Sequence, residues 1–255
     1  VHMEEDAGKL IHKSADSDEA SSSRSHKPDG GASLVDLNRA GVPLLEIVSE
    51  PDLRSPEQAH EYLKTLKGIL EYLDVSDCDM EKGSLRCDAN VSLSPPEEAE
   101  AGRISGTKVE IKNLNSFRAV ARALAYEVQR QGLLLQGGGK VVQETRLWDD
   151  EQGITQAMRS KEYAHDYRYF PEPDLVPFGV SEEEIARARA EFPELPRERA
   201  ERFAREYGLS PSEAAALTAS RGTADYYEAC LRLRPGQASP QRREGLAHWI
   251  LGDLA

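Results

Sequence analysis

From residue 84 to residue 93 every second side chain is apolar. Leu85, Cys87, Ala89, Val91 and Leu93 alternate with Ser84, Arg86, Asp88, Asn90 and Ser92. A period of two predicts a strand with one face in a core and the other polar. Residues 107–112 predict a second strand, with Glu110 on its polar face between Lys108 and Lys112. If the two strands pair, Asp88 and Glu110 share one surface. That surface is either wet, with cross-strand ion pairs, or the wall of a site.

The surrounding pattern predicts the rest. Residues 42–48 form an apolar run broken only by Glu46. Ser55 and Pro56 then open a helix, with Gln58 placed to complete a capping box. Ala59, Tyr62, Leu63, Leu66, Leu70 and Leu73 follow at helical spacing. Asn115 or Ser116 opens another helix with Phe117, Val120, Leu124 and Val128 on one face, and the glycines at 137–139 stop it. Residues 140–148 and 154–158 predict a hairpin. The order β-α-β-β-α-β-β argues for an α+β domain on a largely antiparallel sheet. From Ser181 onward the pattern is helical. Pro196 opens one helix, Gly208 ends it, and Ser210-Pro211 opens the next. Residues 14–33 are Ser/Asp/Gly-rich and predict a loop.

Composition narrows the class. The chain of 255 residues is 39% hydrophobic and 30% charged, as expected of a soluble protein. No apolar run reaches the roughly 20 residues that span a bilayer. Three scattered cysteines and no C-x-x-C argue for a reducing, cytoplasmic setting and against a zinc knuckle in this stretch. A net charge of −13 excludes a broadly basic nucleic-acid coat. Residues 181–255 balance eleven Arg against thirteen acids, so the first 180 carry most of the negative charge. The GGGK at 137–140 is not a phosphate loop: the Walker spacing is absent and the glycines follow a helix.

The acids are the stronger candidates. Glu46 sits between Leu45 and Ile47, so it is either inward-facing or at a strand edge reaching water. An unpaired ion taken from water costs several kcal/mol, against a domain stability of about 5–15 kcal/mol. Several inward carboxylates therefore need Arg, Lys or a metal. Mg²⁺ takes oxygen ligands and leaves positions for phosphate. Arg159 and Lys161 are candidates to bind ATP phosphates as fixed cations, with a surface ion-pair network as the alternative. His165, among Tyr163, Tyr167, Tyr169 and Phe170, is better explained by packing than as a base. Arg197, Arg199, Arg202 and Arg205 on one helix, with Arg232, Arg234, Arg242 and Arg243, are candidate contacts for an RNA backbone.

Five stretches carry a resemblance: LVDLNRAGVPLLEIVSEPD (34–52), GSLRCDAN (83–90), KVEIKNLNS (108–116), QETR (143–146), and MRSKE (158–162) with HDYRYFPEPD (165–174). Together they resemble the B-subunit family of the aspartyl/glutamyl-tRNA amidotransferases. The similarity covers nearly the whole chain except the 14–33 loop. It implies a glutamine-synthetase-like antiparallel-sheet catalytic cradle over residues 1–178 and an all-α, tRNA-contacting domain over 179–255. It implies ATP-dependent amidation of Glu or Asp misacylated on tRNA. The side-chain carboxylate is phosphorylated first, and ammonia from a glutaminase partner then displaces phosphate. Implied cofactors are ATP and Mg²⁺. Implied partners are the glutaminase, or A, subunit, the small C subunit and misacylated tRNA, without a membrane. The metal ligands implied are Glu5, Glu46, Asp88 and Glu110, with Asp88 and Glu110 as the catalytic pair.

The family's Glu-x-His ligands and cysteine zinc site would precede Val1, and its tail domain would follow Ala255, so a fragment is expected. A noncatalytic tRNA-binding scaffold of the same fold is the alternative. The archaeal Glu-tRNA-specific sibling carries an inserted domain for which residues 171–184 leave no room.

Overall fold

In the computed structural model the described residues are 1–6, 8–12, 33–100, 105–158, 179–233 and 239–253. The chain divides into two compact units, Val1–Leu53 and Arg54–Ala255.

The first unit is built from antiparallel ribbons. Strand β1 (His2–Glu5) pairs with β4 (Pro43–Glu46), and β2 (Lys9–His12) pairs with β3 (Ser33–Asp36). Asp6 fixes the step between them. Its amide donates to the Val42 carbonyl at 2.9 Å, and its carboxylate accepts from the Gly8 amide at 3.0 Å and faces Arg39 at 3.3 Å. Gly8 has φ +84°, and a Cβ there would lie 2.6 Å from the Asp36 carbonyl oxygen. Only glycine fits that close approach. The run expected over 42–48 shortens to Pro43–Glu46, and β1 to β3 were not expected.

The second unit begins with α1 (Pro56–Tyr72). Ser55 caps it by accepting from the Gln58 amide at 3.2 Å. The expected capping box is displaced by one residue: the Gln58 side chain accepts from the Arg54 amide, not from Ser55. A four-stranded sheet follows in the order β5 (Ala89–Val91), β6 (Val109–Lys112), β7 (Thr145–Asp149), β8 (Ile154–Ala157). The short α2 (Pro96–Glu100) lies between β5 and β6 in the chain, and α3 (Phe117–Gln136) between β6 and β7. Ser116 caps α3 through the Ala119 amide at 3.0 Å. Pairs β5–β6 and β7–β8 are antiparallel, but β6–β7 is parallel. The helical crossover α3 returns the chain in the same direction, which a hairpin cannot do.

One face of this sheet packs on α1 and α3. Val109 and Ile111 are fully buried with Trp148, Leu63, Val120, Ala123 and Leu124, and Cys87, Ala89 and Val91 pack against them. The α3 stripe differs from expectation at one position. Val128 is 37% exposed, whereas Glu127 and Gln131 are fully buried.

The remaining described residues contain helices α4 (Glu182–Glu191), α5 (Pro196–Tyr207), α6 (Pro211–Leu217), α7 (Arg221–Arg232) and α8 (Pro240–Asp253). Gly208 ends α5 in the left-handed region at φ +71°, and Ser210 with Glu213 forms the capping box of α6. Phe203, Leu217, Ala224, Tyr227 and Ile250 make a second core. Tyr72, at the end of α1, donates to the Thr218 carbonyl at 2.5 Å, and Arg221 donates to the Tyr72 carbonyl at 3.1 Å. These bonds join α1 to the helical array. The boundary expected at 178/179 follows residues 159–178, which lie outside the described ones. Among the described residues no helix is long and apolar enough to cross a membrane. The three cysteines are free.

Candidate functional site

The alternation of residues 84–93 survives as alternating exposure: Leu85, Cys87, Ala89 and Val91 are half-buried, whereas Ser84, Arg86, Asp88 and Asn90 are exposed. Only Ala89–Val91 pairs as strand. The ladder stops because β6 does. Asn113 takes φ +65° and donates its side-chain amide to the Trp148 carbonyl at 2.9 Å, turning the chain away.

The register pairs Ala89 with Ile111 and Asn90 with Glu110, so Asp88 falls opposite Lys112, one step past the strand end. Directly opposed residues share a face. Asp88, Asn90, Glu110 and Lys112 therefore line one polar surface. There the Lys112 ammonium lies 2.8 Å from Asp88 Oδ2 and 3.3 Å from Glu110 Oε1. Burial works against its charge, but the two carboxylates outweigh burial and hold its pKa above the ordinary value. The second Glu110 oxygen, Oε2, accepts from the Thr145 hydroxyl at 2.7 Å. Two carboxylates converge on a point that a cation already fills. This is the cross-strand ion-pair arrangement that the alternation had left open, and a divalent ion such as Mg²⁺ would have to displace the Lys112 ammonium from between the two carboxylates.

Strand β7 is held beside β6 by backbone bonds and to β8 and α3 by buried charge. The Glu110 amide donates to the Glu144 carbonyl at 3.0 Å. Arg146 donates to the Thr155 hydroxyl and carbonyl, each at 2.7 Å, and to Glu144 at 2.7 Å, with Glu127 at 3.6 Å. Burial would raise the pKa of Glu127, but hydrogen bonds from Arg130, Gln131 and Thr155 win and lower it. The thiol of Cys87, on the apolar side, is pushed up by burial to about 11, which rules against a nucleophile.

In the first unit, β1 and β4 sort the acids by face. His2 opposes Glu46 and Glu4 opposes Leu44, so these four share one side. Glu5 opposes Pro43, on the other side with Met3 and Leu45. Strand alternation thus separates Glu5 from Glu46 and brings Glu4 to it. Glu46 is half-buried while Leu45 is 49% exposed. Glu4 and Glu46 share a hydrogen bond, which, with burial and their repulsion, raises the pKa of Glu4.

That shift predicts a pH effect. The folded ribbon binds the shared proton more tightly than the unfolded chain, so its contribution is full below the ordinary carboxylate range. It is lost as pH rises through the raised value of Glu4. Thermal melts across that window should show wild type losing stability relative to Glu4→Gln. Parallel melting curves would remove the shared proton from the account.

Arg159, Lys161 and His165 lie outside the described residues, as does Arg234. The arginine stripe of α5 is corrected. Arg199 is 6% exposed and bonds Asp225 at 2.6 Å and Glu228 at 2.7 Å. Arg202 bonds Glu194, Glu228 and Tyr207. Both serve packing, because their helix face meets α7 and its acids. Arg197 and Arg205 remain exposed, paired with Glu201 and Glu206. Sequence reasoning missed Thr145, Glu127 and the bridging position of Lys112. It also missed Glu213, Glu244 and His248, whose ligand atoms lie within 4.8 Å of one another. The Glu244-x-x-x-His248 spacing on one helix was the available signal. Glu213 is already engaged there, by the Ser210 cap and by His248 at 2.5 Å.

The family model of the GatB/GatE catalytic domain matches residues 1–186. The B subunit of the aspartyl/glutamyl-tRNA(Asn/Gln) amidotransferase of Moorella thermoacetica is 52% identical over 254 residues, covering 100% of this chain and 49% of the relative. The protein of the same name from Myxococcus xanthus is 52% identical over 254 residues, covering 100% of this chain and 48% of the relative. The chain spans about half the length of the curated relatives it matches. With a family match over most of its length and half its residues identical to such relatives, the chain belongs to the GatB/GatE catalytic domain family.

Proposed function

We propose that the protein carrying this chain is the amidating B subunit of a tRNA-dependent amidotransferase, with residues 1–178 contributing to a glutamine-synthetase-like cradle. The single observation that carries this reading is the 52% identity over the whole chain to a curated B subunit, with the family match over residues 1–186 beside it. Its substrates are ATP and Glu or Asp misacylated on tRNA. An oxygen of the substrate's side-chain carboxylate attacks the γ-phosphorus of ATP, and ADP leaves. Ammonia, made by the glutaminase (the A subunit) with the small C subunit in the complex, then attacks the acyl carbon. Phosphate leaves with the bonding pair, the nitrogen sheds its proton, and the amide remains.

In the second unit, Asp88 and Glu110 are the residues that would hold Mg²⁺, in place of the Lys112 ammonium now between them. When bound, the ion supplies charge neutralisation at the phosphoryl oxygens. Lys112, a fixed cation on the same face, orients a phosphate oxygen, and Arg159 and Lys161 are assigned the same role. Exposed Arg197, Arg205 and Arg242 are the candidate backbone contacts for tRNA. The setting is the cytoplasm.

The test uses the assembled enzyme with ammonium in place of glutamine. ADP formation should depend on misacylated tRNA, and Gln-tRNA or Asn-tRNA should form in equal amount. Binding of misacylated tRNA without ADP formation would overturn the kinase reading and leave a scaffold.

A further inference from the structure

We propose that the joint between the end of α1 and the α6–α7 turn is a coupling device: it makes the sheet layer and the helical array open as one cooperative unit. Two bonds cross the joint in opposite directions. The Tyr72 hydroxyl, from α1, donates to the Thr218 carbonyl at the end of α6 at 2.5 Å. The Arg221 guanidinium, from the start of α7, donates to the Tyr72 carbonyl at 3.1 Å and lies 3.2 Å from Asp74 Oδ2. Tyr72 is the last residue of α1 and Thr218 is the C-cap of α6, so neither carbonyl has a partner within its own helix. Each helix end is thus closed by a side chain from the other side of the joint.

The centre of the joint is shut off from water. Tyr72 and Thr218 are each 1% exposed. Burial pushes the Tyr72 pKa up, against the pull of the Arg199 guanidinium beside it, so the hydroxyl keeps its proton and stays a donor. A buried carbonyl that loses its donor bears its full desolvation penalty. One turn earlier, a Cβ at Gly68 would lie 3.7 Å from Pro196 Cγ, so the first turn of α5 sits against the same stretch of α1. Toward its other end α1 is built into the first core, where Leu63 is buried and Ala59 and Tyr62 pack against it. That core includes Ile111 of β6, the strand that carries Glu110 and Lys112. Proteins open in contiguous cooperative units, and binding faces are commonly drawn from the parts that open locally. The joint works against such local opening: loosening β6 disturbs α1, and through Tyr72 it disturbs the array.

The experiment is hydrogen exchange of the full-length protein in its assembled complex, followed by mass spectrometry at rising urea. In wild type the slowest amides of β6 and α3 should exchange together with those of α5 and α7, at one rate and with one dependence on urea. Tyr72→Phe keeps the ring and removes only the hydroxyl. It should split that single class in two, about 10-fold apart in rate, with the array and the sheet layer on opposite sides of the split. Arg221→Gln removes the reverse bond at a position whose side chain is 44% exposed. It should split the class in the same way, and it carries the test alone if the phenylalanine variant does not fold. Two classes already separate in wild type would overturn the proposal. So would a single class that exchanges faster but stays whole in the variants, since that is the signature of lost packing without coupling.

Discussion

Exchange of Asp88 for Asn, or Glu110 for Gln, in the assembled enzyme should lower tRNA-dependent amidation by about 100-fold or more and spare the glutaminase half-reaction. Each change preserves shape and removes one negative charge. The lost electrostatic stabilisation of a transferring phosphoryl group is worth several kcal/mol, and each ~1.4 kcal/mol is a factor of ten in rate. The ion pairs with Lys112 are exposed on both sides, so they add little to stability. Loss of activity should therefore come without a matching loss of melting temperature. The measurement is amide formed per unit time at saturating Mg²⁺, with glutamine hydrolysis followed in parallel. Wild-type amidation by both variants would return Asp88 and Glu110 to the status of a wet strand face.

The second large effect concerns stability. Glu228 lies between Arg199 at 2.7 Å, Arg202 at 2.7 Å and the Tyr207 hydroxyl at 2.7 Å. Removing one partner of a buried ion pair costs about 3–5 kcal/mol, because the other charge stays buried. Arg199 is already committed, with its Nε lacking a hydrogen-bond partner. Glu228→Gln should therefore cost a substantial part of a total of about 5–15 kcal/mol. Burial would raise the Glu228 pKa, but its bonds to Arg202, Tyr207 and Arg199 outweigh burial and hold it at about 2. An unfolded glutamate titrates near ~4.3. A depressed folded value contributes stability that is present above the unfolded value and is lost as pH falls through the folded one. The gap between wild type and Glu228→Gln should be full at neutral pH and close as pH falls from about 4.3 toward 2. Urea melts over that range measure it, and a gap that persists unchanged at the acid end would show that Glu228 acts through packing alone.

Local chemistry was the legible part of this chain. Ser55, Ser116 and Ser210 cap helices where the sequence places them, because a cap needs only its own next three residues. The alternation at 84–93 marked the right apolar side, yet the ladder covers three residues. Its length is set by a partner whose end, Asn113, lies elsewhere in the chain. Glu127 defeated the helical reading for a related reason. Its charge is admitted to the core by Arg130 on its own helix and by Arg146 and Thr155 on strands that follow, which no period of α3 encodes. Strands β1 to β3 escaped notice because four-residue strands leave little alternation to detect. Arg199 and Arg202 looked like an RNA stripe until α7 supplied Asp225 and Glu228. At the candidate site, the sequence marked Asp88 and Glu110; the hydroxyl behind them depends on a parallel register that α3 creates.

Helix α1 packs in the first core of its unit and is tied to the helical array at its other end. Leu63 packs against the sheet and α3, and His60 meets Phe117 edge-on. Gly68 faces Pro196, and Tyr72 is bonded to Thr218. Its 17 residues make a rod about 25 Å long. A lever of that length turns a tilt of about 5° into a displacement of about 2 Å at its far end. A tilt of the helical array would therefore be passed along α1 to the layer beneath Asp88 and Glu110.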